Sequence, residues 1–370
     1  MVRLNPGGTA LMSVDDQLLF VGSYALAAEA GIHVFGFDPS TGSLTSKASF
    51  SGVINPSFVI VHPNGRWLYA VSETGLSENG RYGEVCALHI HHDPIKIELL
   101  NQQSTNGDYP CHLSIDSSGR WLLAANYGSG RVAVYPIQPD GKLGAISSLI
   151  EHQGQGPNRD RQESAHAHST TLTPDNRFVI VADLGIDQLV IYRFDASSGQ
   201  LSAHAITRTR PGAGPRHCVF HPEGQLLYVT NELDNTVTVY DYDAQNGLLQ
   251  ERQRLDTLPP GAPENTAADI HISPSGNRLY VSNRGHNSIA VFALDADGKL
   301  ESLGFPSCGG DWPRNFALSP DGHFMIVANR YSCELSVLPL HAKGRELGQP
   351  VMQAVVSQPS CVEFFNVISS

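Results

Sequence analysis

Apolar and polar positions repeat in the same order seven times along the chain. Each copy spans twelve residues and contains a polar turn, a run of apolar residues and a closing pair of polar residues, as in HPEGQLLYVTNE. The copies begin at Ser13, His62, Asp116, Thr173, His221, Ser273 and Ser319. Their starts are about 50 residues apart, a period typical of repeat architectures. No linker breaks the series, which argues against the alternative of two separate β domains.

Each repeat predicts four β-strands. A short strand, A, precedes the turn, and the apolar run after the turn forms strand B; in one repeat these are RHCVF and LLYVT. Strand C alternates, as in TVTVYDYD, and a Gly-x-Leu turn such as GQL separates it from strand D. Val, Ile, Tyr and Phe in alternation between Pro, Gly, Asn and Asp turns are typical of strands. Seven units of four antiparallel strands predict an all-β fold, the seven-bladed β-propeller.

The two ends of the chain are predicted to close the ring together. The first repeat has no clear strand A before it, whereas the C-terminal segment PSCVEFF, Pro359 to Phe365, matches the strand A sequence PSFVIVH of the next repeat. We expect this segment to complete the first blade and so to remove an exposed sheet edge. The whole chain, residues 1–370, is then a single propeller domain. A closed ring leaves no open edge, so we expect a monomer.

Two positions in each repeat are predicted to surround one mouth of the central channel, because strand A starts where strand B ends. The A position, the second residue of strand A, is occupied by Ser57, Cys111, His168, Arg216, Ala268, Arg314 and Ser360. The B position, the twelfth residue of the pattern, is occupied by Tyr24, Glu73, Tyr127, Leu184, Glu232, Arg284 and Arg330. The third residue of strand A adds His112, His217, Asp269 and Asn315.

These mouth positions carry far more charge than a propeller repeat requires. They hold four arginines, three histidines and two glutamates, concentrated between His168 and Arg330. Several guanidinium groups suit an anionic ligand through bidentate, charge-assisted hydrogen bonds. A glutamate or histidine among them provides an acid or base whose pKa the arginines shift. Arg216, Glu232 and Arg284 are therefore the leading functional candidates. The further residues predicted to bind substrate are His217, Asp269, Arg314, Arg330, Glu73 and His112.

Several polar residues have a structural alternative. His62 and His221 precede proline and are expected to serve in turns. One aligned set is expected to fasten the turn between strands B and C through side-chain-to-backbone bonds: Asn126, Asp183, Asn231, Asn283 and Asn329. Arg330 suits a salt bridge at the rim as well as it suits a ligand. His166 and His168 have a spacing that can bind a metal, but no third ligand is evident, and we expect no metal and no other cofactor.

Overall charge limits the classes of partner that the protein is expected to bind. The 370 residues carry a formal net charge of −12 and no basic run, which disfavours nucleic acid and anionic membranes. No apolar run approaches the roughly 20 residues of a membrane span. The N-terminal segment lacks the apolar stretch of a secretory leader. Six scattered cysteines without a C-x-x-C pair indicate reduced thiols in a cytosolic protein. An anionic ligand must therefore be held by local arginines.

Three segments resemble the lactonase family of seven-bladed propellers. They are HSTTLTPDNR, GAGPRHCVFHPEGQLLYVTNELDNTVTVY and ADIHISPSGNRLYVSNRGHNSIAVF, and the resemblance extends from about residue 18 to 365. The family includes enzymes that hydrolyse sugar-acid lactones such as 6-phosphogluconolactone and enzymes that cyclise muconates. By motif, the site proposed for the muconate branch corresponds to His168, Arg216, Glu232 and Arg284. The resemblance thus implies a lactonase with these four catalytic residues and a small anionic lactone as substrate.

The same resemblance implies roles for the individual groups. Arg216 and Arg284 would bind the anion and polarise the lactone carbonyl, with Arg314 assisting at a phosphate. Glu232 or His168 would deprotonate water, and the other would orient it or protonate the leaving alkoxide. The arginines should lower the pKa of Glu232, which favours neutral His168 as the base.

Other readings remain open at this point. A carboxymuconate-type cycloisomerase, or a lactonase for another sugar or aldaric lactone, would use the same residues. A non-enzymatic scaffold is a third hypothesis, although a scaffold predicts a hydrophobic rim and the rim of this propeller is charged. Two insertions, SETGLSENGRYGEV and EHQGQGPNRDRQESAHAH, are expected to reshape the pocket, and the second runs into His168.

Overall fold

The computed structural model describes residues 17–340 and 347–365, which form seven four-stranded antiparallel sheets arranged in a ring. This confirms the predicted seven-bladed β-propeller. With the blades numbered along the chain, blades 2 to 7 each consist of four consecutive strands in the order A, B, C, D. Blade 1 contains both ends of the described chain. The first turn of the repeat series, Ser13 to Asp16, lies outside the described residues.

The strands follow the repeats along the chain. Blade 1 contains β1 (Gln17–Ser23), β2 (Ala30–Asp38) and β3 (Ser43–Ser51). Blade 2 contains β4 (Val59–Val61), β5 (Trp67–Ser72), β6 (Glu84–His92) and β7 (Ile95–Ser104), with one helical turn, α1 (Leu76–Asn79), between β5 and β6. Blade 3 contains β8 (Pro110–Ile115), β9 (Trp121–Asn126), β10 (Arg131–Pro136) and β11 (Ser148–Glu151). Blade 4 contains β12 (Ala167–Leu172), β13 (Phe178–Asp183), β14 (Gln188–Asp195) and β15 (Gln200–Arg208).

The second half continues in the same way. Blade 5 contains β16 (Pro215–Phe220), β17 (Leu226–Asn231), β18 (Thr236–Asp243) and β19 (Leu248–Asp256). Blade 6 contains β20 (Thr266–Ile272), β21 (Arg278–Arg284), β22 (Ser288–Leu294) and β23 (Leu300–Gly304). Blade 7 contains β24 (Pro313–Leu318), β25 (Phe324–Asn329), β26 (Glu334–Pro339) and β27 (Met352–Val355). The last strand is β28 (Pro359–Phe365). Within the described ranges, every helix is too short or too polar to traverse a bilayer.

Strand β28 closes the ring as predicted. It pairs antiparallel with β1, from Leu18 opposite Phe365 to Ser23 opposite Pro359, and blade 1 has the order β28, β1, β2, β3. The first blade is therefore built from both ends of the described chain, so that the edge of β1 is covered.

The hydrophobic core lies between the blades. The B strands β9, β13, β17 and β25 are buried along their whole length, which explains why they appear in the sequence as continuous apolar runs. Outer strands such as β19 are largely exposed. The buried apolar side chains of the described chain form seven clusters, one for each pair of adjacent blades. The cluster between blades 7 and 1 includes Leu19, Val21 and Ile326, so the ring closes through its core as well as through its edge.

A β-bulge sits at the start of strand A in six blades. Pairing with strand B skips the residue at the A position, so that the skipped residues are Cys111, His168, Arg216, Ala268 with Asp269, Arg314 and Ser360. A bulged residue is left out of the ladder, and the local kink redirects its side chain. The bulges therefore explain how neighbouring polar residues of one strand reach the same mouth of the channel.

Candidate active site

A small cavity occupies the predicted mouth of the channel. Its volume is about 220 Å³. The residues that line it are Tyr24, Glu73, Cys111, Tyr127, Arg161, His168, Glu232, Arg284 and Arg314. All except Arg161 occupy the A or B positions defined by the sequence. The structure thus brings three of the four predicted catalytic residues, His168, Glu232 and Arg284, to one cavity.

Glu232 is the electrostatic centre of this cavity. Its Oε1 accepts a hydrogen bond from Arg161 Nη2 at 2.5 Å, and its Oε2 accepts from Arg284 Nη2 at 2.8 Å and from Arg216 Nε at 3.0 Å. Burial by itself would raise the pKa of this carboxyl, but attraction to Arg284, Arg216 and Arg161 outweighs burial and holds the pKa of Glu232 well below its ordinary value. Glu232 is therefore a permanent anion at neutral pH.

Arg216 lies behind Glu232 and does not line the cavity. Its side chain is 2% exposed, and Nη1 donates to the Ala268 carbonyl at 2.9 Å and to Nε2 of His217 at 3.2 Å. This position differs from the expectation that Arg216 contacts the substrate. The reason is that Glu232, which directly follows β17 of the same blade, binds this guanidinium and itself lines the cavity.

Arg284 keeps donors available for a ligand. Besides Glu232, its Nε donates to the Thr266 carbonyl at 3.2 Å and its Nη2 to the Ala267 carbonyl at 3.0 Å. Nη1 has no hydrogen-bond partner within the described ranges. A guanidinium carries five N–H donors in a rigid plane, so Arg284 can hold Glu232 and a ligand oxygen at the same time.

His168 is neutral and faces the same space. Burial is the largest cause of its lowered pKa, and the positive charge of Arg216 adds to it, so the pKa lies well below the ordinary 6.5. The ring packs edge-on against Tyr127, with centroids 5.6 Å apart, and against His217 at 5.3 Å. Cys111 Sγ lies 3.8 Å from Nδ1 of His168. A neutral imidazole among the charged groups of the cavity is chemically suited to accept a proton.

Arg314 and Arg330 flank the ring of Tyr24. Their guanidinium carbons lie 5.4 and 4.0 Å from its centroid. Neither arginine forms an ion pair with a carboxylate in the parts of the chain that the structure describes. Arg330 instead contacts Oε1 of Gln358, so within the described residues it forms a rim hydrogen bond and not the rim salt bridge that the sequence allowed.

A second depression continues from the cavity past Tyr24. It has a volume of about 360 Å³, shares Tyr24 and Glu73 with the cavity and is also lined by Arg330. Glu73 accepts hydrogen bonds from Tyr24 and Ser57. The two cations beside Tyr24 thus remain available to an anion that enters from either space.

Three predicted substrate-binding residues lie one layer deeper. His217 binds Asp269 through Nδ1 at 2.7 Å, and His112 packs on His217 with ring centroids 5.2 Å apart. None of the three lines the cavity. The A-position residues Cys111, His168 and Arg314 reach the cavity, whereas these three residues, each next along its strand, pack beneath it.

Arg161 is the cavity residue that the repeat pattern missed. It lies on the insertion between β11 and β12, outside the A and B positions, and its side chain is 37% exposed. Besides Glu232 it contacts the Tyr127 hydroxyl at 3.4 Å. The available signal was the insertion itself, which the sequence indicated would reshape the pocket.

The remaining polar candidates are structural. Asn126, Asn231, Asn283 and Asn329 each bond across the turn between strands B and C, mostly to a Ser or Thr hydroxyl rather than to the backbone. His166 binds the Tyr127 carbonyl through Nδ1 at 2.8 Å and stacks on its ring, so it does not share a ligand with His168. In the ranges described, no three His, Cys, Asp or Glu side chains are arranged to hold a metal ion.

A larger groove of about 920 Å³ lies between blades 5 and 6 at the opposite ends of the strands. Turn residues line it, and its Asp241 and Arg252 pair with each other at 2.5 Å. Its histidine, His221, has both ring nitrogens engaged by turn backbone, with the Gly276 carbonyl at 3.1 Å and the Glu223 N–H at 3.2 Å. The mouth cavity, although smaller, is the one with reactive groups.

Fold and cavity together define a propeller that presents arginines, one buried carboxylate and one neutral histidine to a small ligand. The family of seven-bladed β-propeller lactonases matches residues 18–364, and the chain belongs to this family. The 6-phosphogluconolactonase of Bacillus subtilis is 34% identical over 94% of this chain and 98% of its own length. The 6-phosphogluconolactonase of Formosa agariphila is 32% identical over 94% and 99%. The structure of a periplasmic gluconolactonase from Pseudomonas aeruginosa is similar, with a TM-score of 0.89 and 32% identity over 95% of this chain and 99% of that one.

Proposed function

We propose that the protein hydrolyses a sugar-acid lactone and that its substrate is 6-phosphogluconolactone, which it converts to 6-phosphogluconate. Arg314 carries this proposal: it lines the cavity without a carboxylate partner in the described chain, whereas three other arginines are engaged by Glu232. A guanidinium without an ion-pair contact beside a neutral base suits a substrate that brings its own negative charge. The names of the two bacterial relatives support the same substrate.

In this proposal the neutral His168 removes a proton from water as its oxygen attacks the lactone carbonyl carbon. The carbonyl oxygen becomes negative, and the free donors of Arg284 stabilise it by about 3–4 kcal/mol, as expected of one well-placed donor. The bond between the carbonyl carbon and the ring oxygen then breaks. His168 returns the proton to the ring oxygen, so the product is an open-chain hydroxy acid and the enzyme is restored.

Glu232 orients the attacking water. A carboxylate has about four acceptor sites, and its three arginine bonds leave one for a water proton. Because its pKa is held so low, Glu232 is a poor base, which assigns proton removal to His168. Arg216 and Arg161 act by holding the carboxylate in this orientation.

The proposed substrate also implies a metabolic pathway and a cellular compartment. A substrate of this kind is a product of sugar-phosphate oxidation, which places the enzyme in the pentose phosphate pathway of the cytoplasm. The acidic balance of −12 is consistent with an enzyme that acts alone as a monomer on a small molecule, without nucleic acid or membrane.

The rate is expected to stay level from pH 7 down to about pH 5.5, the window in which an ordinary histidine would become protonated. His168 must be neutral to accept a proton, and its pKa is lowered by burial and by Arg216, so the neutral form persists as the pH falls. Initial rates of lactone hydrolysis between pH 5 and 7 measure this. An acidic limb centred near 6.5 in kcat/KM would contradict the assignment of His168 as the base.

Replacing Arg314 with Met is expected to raise KM for 6-phosphogluconolactone at least about 10-fold, since a lost charge-assisted bond costs about 1.5–3 kcal/mol. KM for neutral gluconolactone should change much less. Arg66→Met, at an exposed turn on the opposite side, is the matched control. Equal losses on both lactones would show that Arg314 does not bind phosphate.

Isomerisation of a muconate lactone by the wild-type protein, without sugar-lactone hydrolysis, would favour the cycloisomerase alternative.

A further inference from the structure

We propose that Asp269 is a positioning residue that controls Glu232 from the layer below the cavity, through His217 and Arg216. The inference rests on the proposed function for its kinetic readout, but not for its structural one. Four side chains form a continuous hydrogen-bonded chain from blade 6 into the cavity of the lactonase. Asp269 lies in the bulge of β20, and at its other end the chain reaches Glu232.

The bonds of this chain determine which nitrogen of His217 carries the proton. Arg216 Nη1 lies 3.2 Å from Nε2 of His217, and an arginine can only donate, so Nε2 must be the bare acceptor. The proton is then on Nδ1, which donates to Oδ1 of Asp269 at 2.7 Å. The pKa of His217 is lowered to about 4, by burial first and by Arg216 second, so the ring is neutral and has one tautomer.

The neighbours of Asp269 require it to accept hydrogen bonds at both carboxylate oxygens. Its Oδ2 accepts from three donors: Asn315 Nδ2 at 2.5 Å, His271 Nε2 at 2.8 Å and the Phe316 backbone N–H at 3.2 Å. Both of its oxygens therefore face donors only, which requires a carboxylate at this position. Only this carboxylate holds His217 in the tautomer that Arg216 needs.

An amide at position 269 would reverse the donor and acceptor roles along this series of hydrogen bonds. In the Asp269→Asn variant the amide oxygen must stay toward the Phe316 N–H and His271, because an NH2 group there would meet other donors. The amide NH2 then faces His217, which can accept only if its own proton moves to Nε2. That proton would point at Arg216, leaving two donors opposed across 3.2 Å. The guanidinium must then move, and Glu232 loses one of its three partners.

The experiment compares Asp269→Asn with Asp116→Asn, another buried aspartate, which accepts three backbone N–H groups in a turn at the opposite ends of the strands. Asp269→Asn is expected to lower kcat for the lactone at least about 10-fold, because the wrong histidine tautomer alone costs far more in a serine protease triad. KM should stay within about threefold, since Arg284 and Arg314 still line the cavity. Asp116→Asn disturbs a buried carboxylate to a similar degree, but its contacts lie far from the cavity, so the folded variant should keep the wild-type kcat.

A rescue separates positioning from general stability. His217→Glu, added to Asp269→Asn, supplies a carboxylate that accepts both from Arg216 and from the amide NH2 at position 269, and should recover at least about threefold of kcat. A loss that His217→Glu does not recover, or a folded Asp269→Asn variant with wild-type kcat, overturns the proposal. If Asp269→Asn does not fold, His217→Leu, which removes the acceptor, should show the same selective loss of kcat. Wild-type kcat in that variant also overturns it.

Nitrogen-15 NMR of the histidine rings tests the chain without any turnover. The wild-type protein should show His217 protonated on Nδ1, and Asp269→Asn should show the proton on Nε2. A wild-type ring protonated on Nε2 contradicts the inference. A wild-type protein with the expected tautomer but no lactonase activity would leave the chain intact and reject the proposed function instead.

Discussion

Replacing Glu232 with Gln is expected to lower kcat/KM for the lactone at least about 100-fold, the loss typical of one key electrostatic group. Gln cannot supply the fixed negative charge on which Arg161, Arg216 and Arg284 converge, nor hold water with a second acceptor oxygen. The three guanidinium groups would then repel one another around a neutral amide. Steady-state kinetics with 6-phosphogluconolactone measure the loss.

The fold should survive this change. Arg216 keeps the Ala268 carbonyl and Arg284 keeps those of Thr266 and Ala267, so no buried guanidinium is left without a partner. Glu73→Gln is the matched control, because this second cavity carboxylate bonds to hydroxyl groups and not to the arginines. It should cost less than about 10-fold. A folded Glu232→Gln variant with normal turnover would remove Glu232 from the mechanism.

A chain that ends at Gln358 is expected not to fold. It lacks β28, which pairs with β1 and buries Cys361, Val362 and Phe365 between blades. Burial of such apolar side chains contributes about 1.5–3 kcal/mol each, so three of them approach the whole net stability of a domain, about 5–15 kcal/mol. The lost ladder and the bare edge of β1 add to this loss.

Circular dichroism and gel filtration of the shortened chain test the role of β28. A chain that ends at Phe365 keeps the strand and should melt cooperatively like the full protein. A synthetic peptide with the sequence of residues 357–368, added in trans, should restore at least part of the folded signal by occupying the open edge. Cooperative melting of the chain that ends at Gln358, at the temperature of the full protein, would show that β28 does not hold the ring closed.

The sequence and the structure agree wherever local pattern decides. The strands predicted as TVTVYDYD and QLVIYRFD are β18 and β14 to the residue, because alternation between turn residues sets where a strand begins and ends. Ring closure by Pro359–Phe365 could be predicted for a related reason, because a strand A was missing at one end of the repeats and present at the other. The mouth positions followed from topology alone, and they include eight of the nine residues that line the cavity.

The depth of each side chain and the reach of the loops depended on the tertiary structure. Arg216 and His168 share the A position, yet one lies behind Glu232 and the other faces open space, since the length of each side chain and its neighbours on adjacent blades decide what it reaches. Arg161 enters the cavity from an insertion that follows no repeat. The chain by itself thus determined the ring, its closure and the chemistry gathered at one mouth. Only packing between blades decided which of those groups meet a ligand and which hold the others in place, because such contacts join residues far apart in sequence.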